Sequence, residues 1–123
     1  MAWKDLPYPY NQREEKMTEI DEISATELRT LQEKNENFLL LDVREPFEYD
    51  ICNLGGKLMP LQELPLKIAE LDQNQLTIIH CRSGGRSKKA CEFLKTKGFT
   101  KIKNLTGGIL AWREKMDPTM TKY

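Results

Sequence analysis

Cys81 ends the apolar run Leu76-Thr-Ile-Ile-His and is followed by Arg82-Ser83-Gly84-Gly85-Arg86-Ser87. The run before it, rich in β-branched residues, reads as a short buried strand. From Ser87 to Lys97, Ala90, Cys91 and Leu94 recur at helical spacing with Phe93 alongside. Ser87 is the expected N-cap and Gly98 the expected C-terminal stop. Residues 81–86 are then a tight strand-to-helix turn. Gly84 and Gly85 are free to take positive φ, which lets successive N–H groups converge on an anion. The helix N-terminus adds positive potential. A free thiol has a pKa of about 8.5, and surroundings of this kind lower it. Arg82 and Arg86 are expected to push the same way. A thiolate held among donors is a nucleophile. The chemistry that fits is attack on sulfur, with the same N–H groups stabilising an anionic persulfide.

A cysteine at a strand end can also be core filler, but filler does not require two glycines and two arginines behind it. Cys91 falls on the apolar face of the following helix and is read as core. Cys52, in Tyr49-Asp-Ile-Cys-Asn-Leu, is either core or a secondary thiol. No pair of cysteines has C-x-x-C spacing, so neither a zinc site nor a dithiol redox motif is expected. His80 directly precedes Cys81. Adjacent strand residues point to opposite faces, so His80 is read as structural and not as the base for Cys81.

A cysteine and an arginine on a strand-to-helix loop also occur in cysteine-dependent phosphatases and arsenate reductases, with C-x5-R spacing. Here four residues, Arg82 to Gly85, separate Cys81 from Arg86. The shorter loop makes a smaller cup, matched to one sulfur better than to a tetrahedral phosphate. Arg86 is expected to close the loop by hydrogen bonding.

The elements that must position this loop alternate along the chain. Ile20 to Ile23 is a first short strand. Ser24-Ala-Thr-Glu27 is a capping box for a helix to about Lys34. Phe38 to Val43 reads as a central parallel strand. Pro46 suits the first turn of a short helix. Lys57-Leu-Met59 is a further strand, and Leu64 to Leu71 a short helix. After the Cys81 loop and its helix, Ile102 to Leu105 forms a strand and Gly107-Gly108 opens a helix to about Met116, with Trp112 as core. This order predicts an α/β fold, a central mostly parallel five-stranded sheet with helices on both faces. Sites in such sheets lie beyond the carboxyl ends of the strands, where Cys81 falls. Residues 18–123 form the expected domain. Residues 1–17, with Trp3, Pro7, Tyr8, Pro9 and Tyr10, read as an arm or linker.

Three segments together resemble the rhodanese family of sulfurtransferases. Leu41-Asp-Val-Arg-Glu-Pro-Phe-Glu-Tyr49 is similar to its first signature. Cys81-Arg-Ser-Gly-Gly-Arg-Ser87 is similar to its active-site loop, and Asn104-Leu-Thr-Gly-Gly-Ile-Leu-Ala-Trp112 to its closing signature. The resemblance runs from about Ile20 to Met116. It implies that Cys81 carries sulfane sulfur, that the backbone of 82–86 cradles it, and that Asp42 and Arg44 support the site. No cofactor and no metal are expected. One departure is Asn53-Leu54-Gly55-Gly56-Lys57, where the family usually has a His-Ile-Pro-Gly-Ala type of sequence. This version, with Pro46 and Pro60-Leu61-Gln62-Glu63-Leu64, resembles rhodanese domains fused to the C-terminus of MoeB/ThiF-type adenylyltransferases. Those serve molybdopterin or thiamine sulfur delivery. A non-catalytic binding module of the same fold is the alternative, although such domains usually lack the cysteine.

The chain has 123 residues, which suits one domain. Three cysteines and a motif built on a free thiol point to a reducing, cytoplasmic setting. There is no long apolar run, and the N-terminus lacks the apolar region of a signal peptide. Net charge is zero but unevenly spread. Residues 1–72 carry eight Lys and Arg against sixteen Asp and Glu, whereas residues 73–123 carry eleven against three. The basic half holds the cysteine loop with Lys88, Lys89, Lys95, Lys97, Lys101 and Lys103. A positive field there would draw a small anionic sulfur donor, or an acidic sulfur-carrier or adenylyltransferase partner. Neutral total charge and the absence of a binding motif argue against nucleic acid.

Overall fold

The computed structural model describes residues 19–123. The arm expected over residues 1–17 lies outside the described residues. Five strands form one sheet: β1 (Glu22–Ile23), β2 (Phe38–Asp42), β3 (Lys57–Leu58), β4 (Leu76–His80) and β5 (Ile102–Leu105). Their order is β1-β5-β4-β2-β3, and every pairing is parallel. The central strands β2 and β4 run in register from Phe38 opposite Leu76 to Asp42 opposite His80.

Alternation along these strands sends successive side chains to opposite layers. Leu40 and Ile78 enter one core with Leu28 of α1 (Ala25–Glu33) and Trp112 of α5 (Gly108–Met116). Leu41 and Ile79 enter the other with Leu64 of α3 (Leu64–Lys67) and Leu94 of α4 (Gly85–Thr96). Helices therefore cover both faces, as expected. Cys81 belongs to the α3/α4 layer, and His80, one residue earlier, points the other way.

Local signals explain the element starts. The capping box of α1 is present: the Glu27 amide donates to the Ser24 hydroxyl at 3.1 Å, and the Ser24 amide donates to the Glu27 carboxylate at 3.0 Å. Pro46 opens α2 (Pro46–Ile51), where its missing N–H costs nothing.

Three expectations are corrected. The first strand is shorter, two residues from Glu22. The 64–71 helix is a four-residue helical turn between 3-10 turns at Leu61–Glu63 and Ile68–Glu70. Pro65 is tolerated only in a first helical turn, so the segment does not join the turn before it into one helix. The third correction concerns the helix after Cys81. It starts at Gly85, not Ser87, with Gly84 as its N-cap at φ +115. Ser87 is wholly buried in its first turn.

Replacing Ser24 by Ala removes the acceptor for the Glu27 amide on a surface-exposed cap. The expected loss is about 1 kcal/mol of stability. A urea titration measures it, and the fold and the Cys81 loop stay intact.

Candidate active site

β4 delivers Cys81 to the carboxyl edge of the sheet, and α5 fixes the backbone there. The Ile109 amide donates to the Cys81 carbonyl at 3.0 Å, and the Leu110 amide to the Arg82 carbonyl at 3.1 Å. With those two carbonyls engaged by α5, the chain turns through Gly84. The Gly84 amide then donates to Cys81 Sγ at 3.1 Å. A side chain at φ +115 would be strained, so the turn calls for glycine. Gly85 has an ordinary φ and open space around it; the expected freedom is used at Gly84 alone.

The Ser87 hydroxyl lies 3.4 Å from Sγ, 2.5 Å from Asn104 Oδ1 and 3.2 Å from the Gly84 carbonyl. It has one proton, so it serves one of these acceptors at a time. Asn104 Nδ2 donates to the Gly84 carbonyl at 3.3 Å and braces the turn from β5. Cys81 is 1% exposed. Burial pushes its thiol up, but hydrogen bonds from the Ser87 hydroxyl and the amides of Ser87, Gly84 and Ser83 outweigh it. The net shift is downward. The hydrogen bonds on the sulfur thus come from residues 83, 84 and 87, the last of which lies just beyond the expected 82–86.

The two arginines make their hydrogen bonds elsewhere than on the sulfur. Arg86 grips Glu48 of α2 in a bidentate pair, at 2.6 and 2.8 Å, and interacts with Cys81 only through its charge. This pair holds the Glu48 carboxyl down to about 2. Arg82 donates through Nε to the main-chain oxygen of Tyr123 at 2.7 Å, and again through Nη2. Both guanidiniums are engaged, and the donors on the thiolate are neutral.

Asp42 and Arg44 lie just behind the loop, both with no exposed surface. Arg44 binds Asp42 through Nε at 3.0 Å and Nη2 at 2.7 Å. Its remaining donors reach the Glu48 carbonyl, the Cys52 carbonyl and the Tyr123 hydroxyl. The Tyr123 hydroxyl donates in turn to Glu48 Oε2 at 2.7 Å. A continuous chain therefore runs from Asp42 through Arg44, Tyr123 and Glu48 to Arg86. His80 sits opposite Asp42 in the sheet, with Nε2 3.7 Å from Asp42 Oδ2 and without a hydrogen-bond partner among the described residues. Burial lowers its pKa, so it stays neutral, in keeping with a structural role. Cys91 is buried in the core with its thiol pushed up to about 12 by that burial. Cys52 is partly buried, and all three thiols are free.

Four residues of the site carry no role at the site in the sequence reading: Glu48, Asn104, Gly108 and Tyr123. The first three stand inside the motifs quoted above, and Tyr123 has no local signal. Gly108 has the most physical reason. At φ +60, a Cβ there would lie 2.5 Å from the Arg82 carbonyl oxygen and 2.7 Å from that of Cys81. Only glycine lets α5 approach the loop closely enough to bind those carbonyls.

Residues 24–115 match the family model for the rhodanese-like domain. The chain belongs to the rhodanese-like domain family. It is 36% identical over 104 residues to the probable adenylyltransferase/sulfurtransferase MoeZ of Mycobacterium tuberculosis, which covers 82% of this chain but 26% of that protein. The chain thus spans about a quarter of that relative's length. A protein named sulfurtransferase from Allochromatium vinosum is 34% identical over 94 residues, covering 76% of this chain and 88% of its own. Among solved structures, a rhodanese-related protein from Thermoplasma volcanium is 34% identical with a TM-score of 0.67, covering 78% of this chain and 93% of that one. The parallel five-stranded sheet with helices on both faces is the rhodanese-like fold.

Two substitutions test the geometry. Ser87→Ala removes a hydrogen bond that favours the thiolate, so the Cys81 pKa rises and alkylation sets in at higher pH. The pH-rate profile with iodoacetamide measures the displacement; an unmoved midpoint contradicts the role given to Ser87. Gly108→Ala places a side chain in left-handed backbone, at a cost of about 1–2 kcal/mol from that conformation alone. It also forces the Cys81 and Arg82 carbonyls outward. The expected result is lower stability in urea together with slower alkylation of Cys81.

Proposed function

We propose that this domain is a sulfurtransferase that carries sulfane sulfur on Cys81. The observation that carries the reading is a thiol buried in the sheet edge yet shifted toward its thiolate by hydrogen bonds from Ser83, Gly84 and Ser87. Such a sulfur is the readier nucleophile for lying closer to its thiolate, and the reading needs no separate base. Thiolate Cys81 attacks the outer sulfur of a donor, for example thiosulfate. The new S–S bond forms as the donor's S–S bond breaks, and sulfite leaves with the electron pair. The product is Cys81–S–S⁻. In this reading the loop amides and the Ser87 hydroxyl stabilise its negative charge. A thiophilic acceptor then attacks the terminal sulfur and returns Cys81 to the thiolate. No cofactor enters either step.

Membership of the rhodanese-like family and the relatives named as sulfurtransferases support this reading. Asp42 and Arg44 support the site indirectly: they anchor Glu48 and Tyr123, which hold Arg86 and Arg82. The engagement of Arg86 also favours sulfur over phosphate. A phosphate-binding loop needs its arginine free to clasp two phosphate oxygens, and here both terminal nitrogens lie on Glu48.

The donor class we infer is a small anionic sulfane donor or a persulfide. Lys88 and Lys89 stand exposed in the first turns of α4, directly after the loop, where they attract such anions or an acidic carrier protein. The likeness to MoeZ supports a sulfur-carrier or adenylyltransferase partner, as in molybdopterin or thiamine sulfur delivery, in the reducing setting of the cytoplasm.

Incubation with thiosulfate followed by intact-mass measurement tests the reaction. The wild-type protein gains one sulfur, and cyanide removes it. Cys81→Ser gains none and unfolds at nearly the wild-type denaturant concentration. A wild-type protein that gains no cyanide-labile sulfur is the outcome expected of a binding module, and the transferase reading then fails.

A further inference from the structure

Of the two arginines beside Cys81, one is held by a carboxylate and the other by the C-terminal segment. The Glu48 partner of Arg86 is almost fully buried, with a side chain 5% exposed. That pair is a fixed part of the frame. Arg82 differs. Its hydrogen bonds among the described residues go to the main-chain oxygen of Tyr123. Its guanidinium also lies over the Tyr123 ring, 5.2 Å from the centroid. The Arg44 guanidinium lies 5.7 Å from the same centroid. The tyrosine hydroxyl is pinned between Arg44 Nη1 and Glu48 Oε2, at 2.7 Å each. One residue therefore takes up the cation adjacent to the nucleophile and fastens itself to the buried network behind it. Burial raises the Tyr123 phenol to about 12, so the hydroxyl keeps the proton that binds Glu48.

We propose that Tyr123 is a specificity-determining residue: by holding Arg82 it withholds that guanidinium from anionic reagents approaching Cys81. This rests on the sulfur-transfer reading for its biological meaning. With Tyr123 seated, the donors that face the sulfur are neutral. Lysines farther out gather anions, whereas the Nε–Nη2 edge of Arg82 is taken up by the Tyr123 oxygen. A donor anion such as the sulfonate end of thiosulfate competes with that oxygen for this edge. A neutral or protein-borne sulfane donor faces no such competition. Tyr123 acts through Arg82, so it is a positioning residue and not a catalytic one.

The test compares two alkylating agents of like size, iodoacetate and iodoacetamide, reacting with Cys81. Their rate ratio reports the cation seen by the incoming anion and cancels changes in thiolate fraction. Tyr123→Ala keeps the main-chain oxygen but removes the ring and hydroxyl that fasten it in place, so Arg82 is released and the ratio rises roughly fivefold, as one unit charge about 4 Å away in water predicts. Tyr123→Phe keeps the ring over Arg82 but loses the clamp on Arg44 and Glu48. It gives a smaller rise and serves if the alanine variant fails to fold. In an Arg82→Gln background neither change moves the ratio. An unchanged ratio in folded Tyr123→Ala overturns the proposal, as does an equal rise when Arg82 is absent. The measurement needs no sulfur transfer. A wild-type protein that never forms a persulfide defeats the transferase reading and leaves this result standing.

Discussion

Among the described residues Arg44 is the largest side chain with no exposed surface, and it carries a full charge. A buried guanidinium is tolerated only when its donors are met. Meeting them dictates much of the architecture around the site. Asp42 supplies the countercharge from the end of β2. The Glu48 and Cys52 carbonyls come from α2 and its C-cap, so that helix has to fold back over the strand end. The hydroxyl comes from Tyr123, which draws the C-terminal segment in. Hydrogen bonds outweigh the burial that would lower its pKa, and the group stays charged.

The sulfur is treated in the opposite way. Cys81 is also buried, but its hydrogen-bond donors are neutral dipoles, and among the described residues no guanidinium hydrogen-bonds to it. The arginines beside it serve the frame. This division separates positioning from chemistry. Arg86 and Glu48 tie α4 to α2, so the helix that bears Ser87 is held against the strand that ends near Asp42. The donors on Sγ are then dipoles already oriented toward it, which cost no reorganisation when negative charge gathers there.

Much of this was readable in the residues, and the gaps have physical causes. Period-two alternation at Leu40–Leu41 and Ile78–Ile79 marked a sheet covered on both faces. The Ser24–Glu27 box marked a helix start, because capping is decided by residues three apart. The helix after Cys81 was misplaced by two residues because serine is a good cap in isolation. Here a glycine in left-handed backbone takes that position, and the serine is needed inside, against the sulfur. Arginines next to a cysteine suggest direct electrostatic activation. Their true partners, Glu48 and Tyr123, are 38 and 41 residues away in sequence, and nothing local announces them. Gly108 was legible as a helix opening, while its close approach to the loop carbonyls depends on how α5 packs.

The contrast between Cys81 and Cys91 shows that burial alone does not decide how a thiol behaves. Both thiols sit in one core layer. Burial pushes the Cys91 thiol up to about 12, whereas hydrogen bonds on Cys81 outweigh the same effect and shift it downward. The thiolate is the nucleophilic form. A single apolar layer therefore holds one quiet sulfur and one primed toward electrophiles, and the loop's donors make the difference.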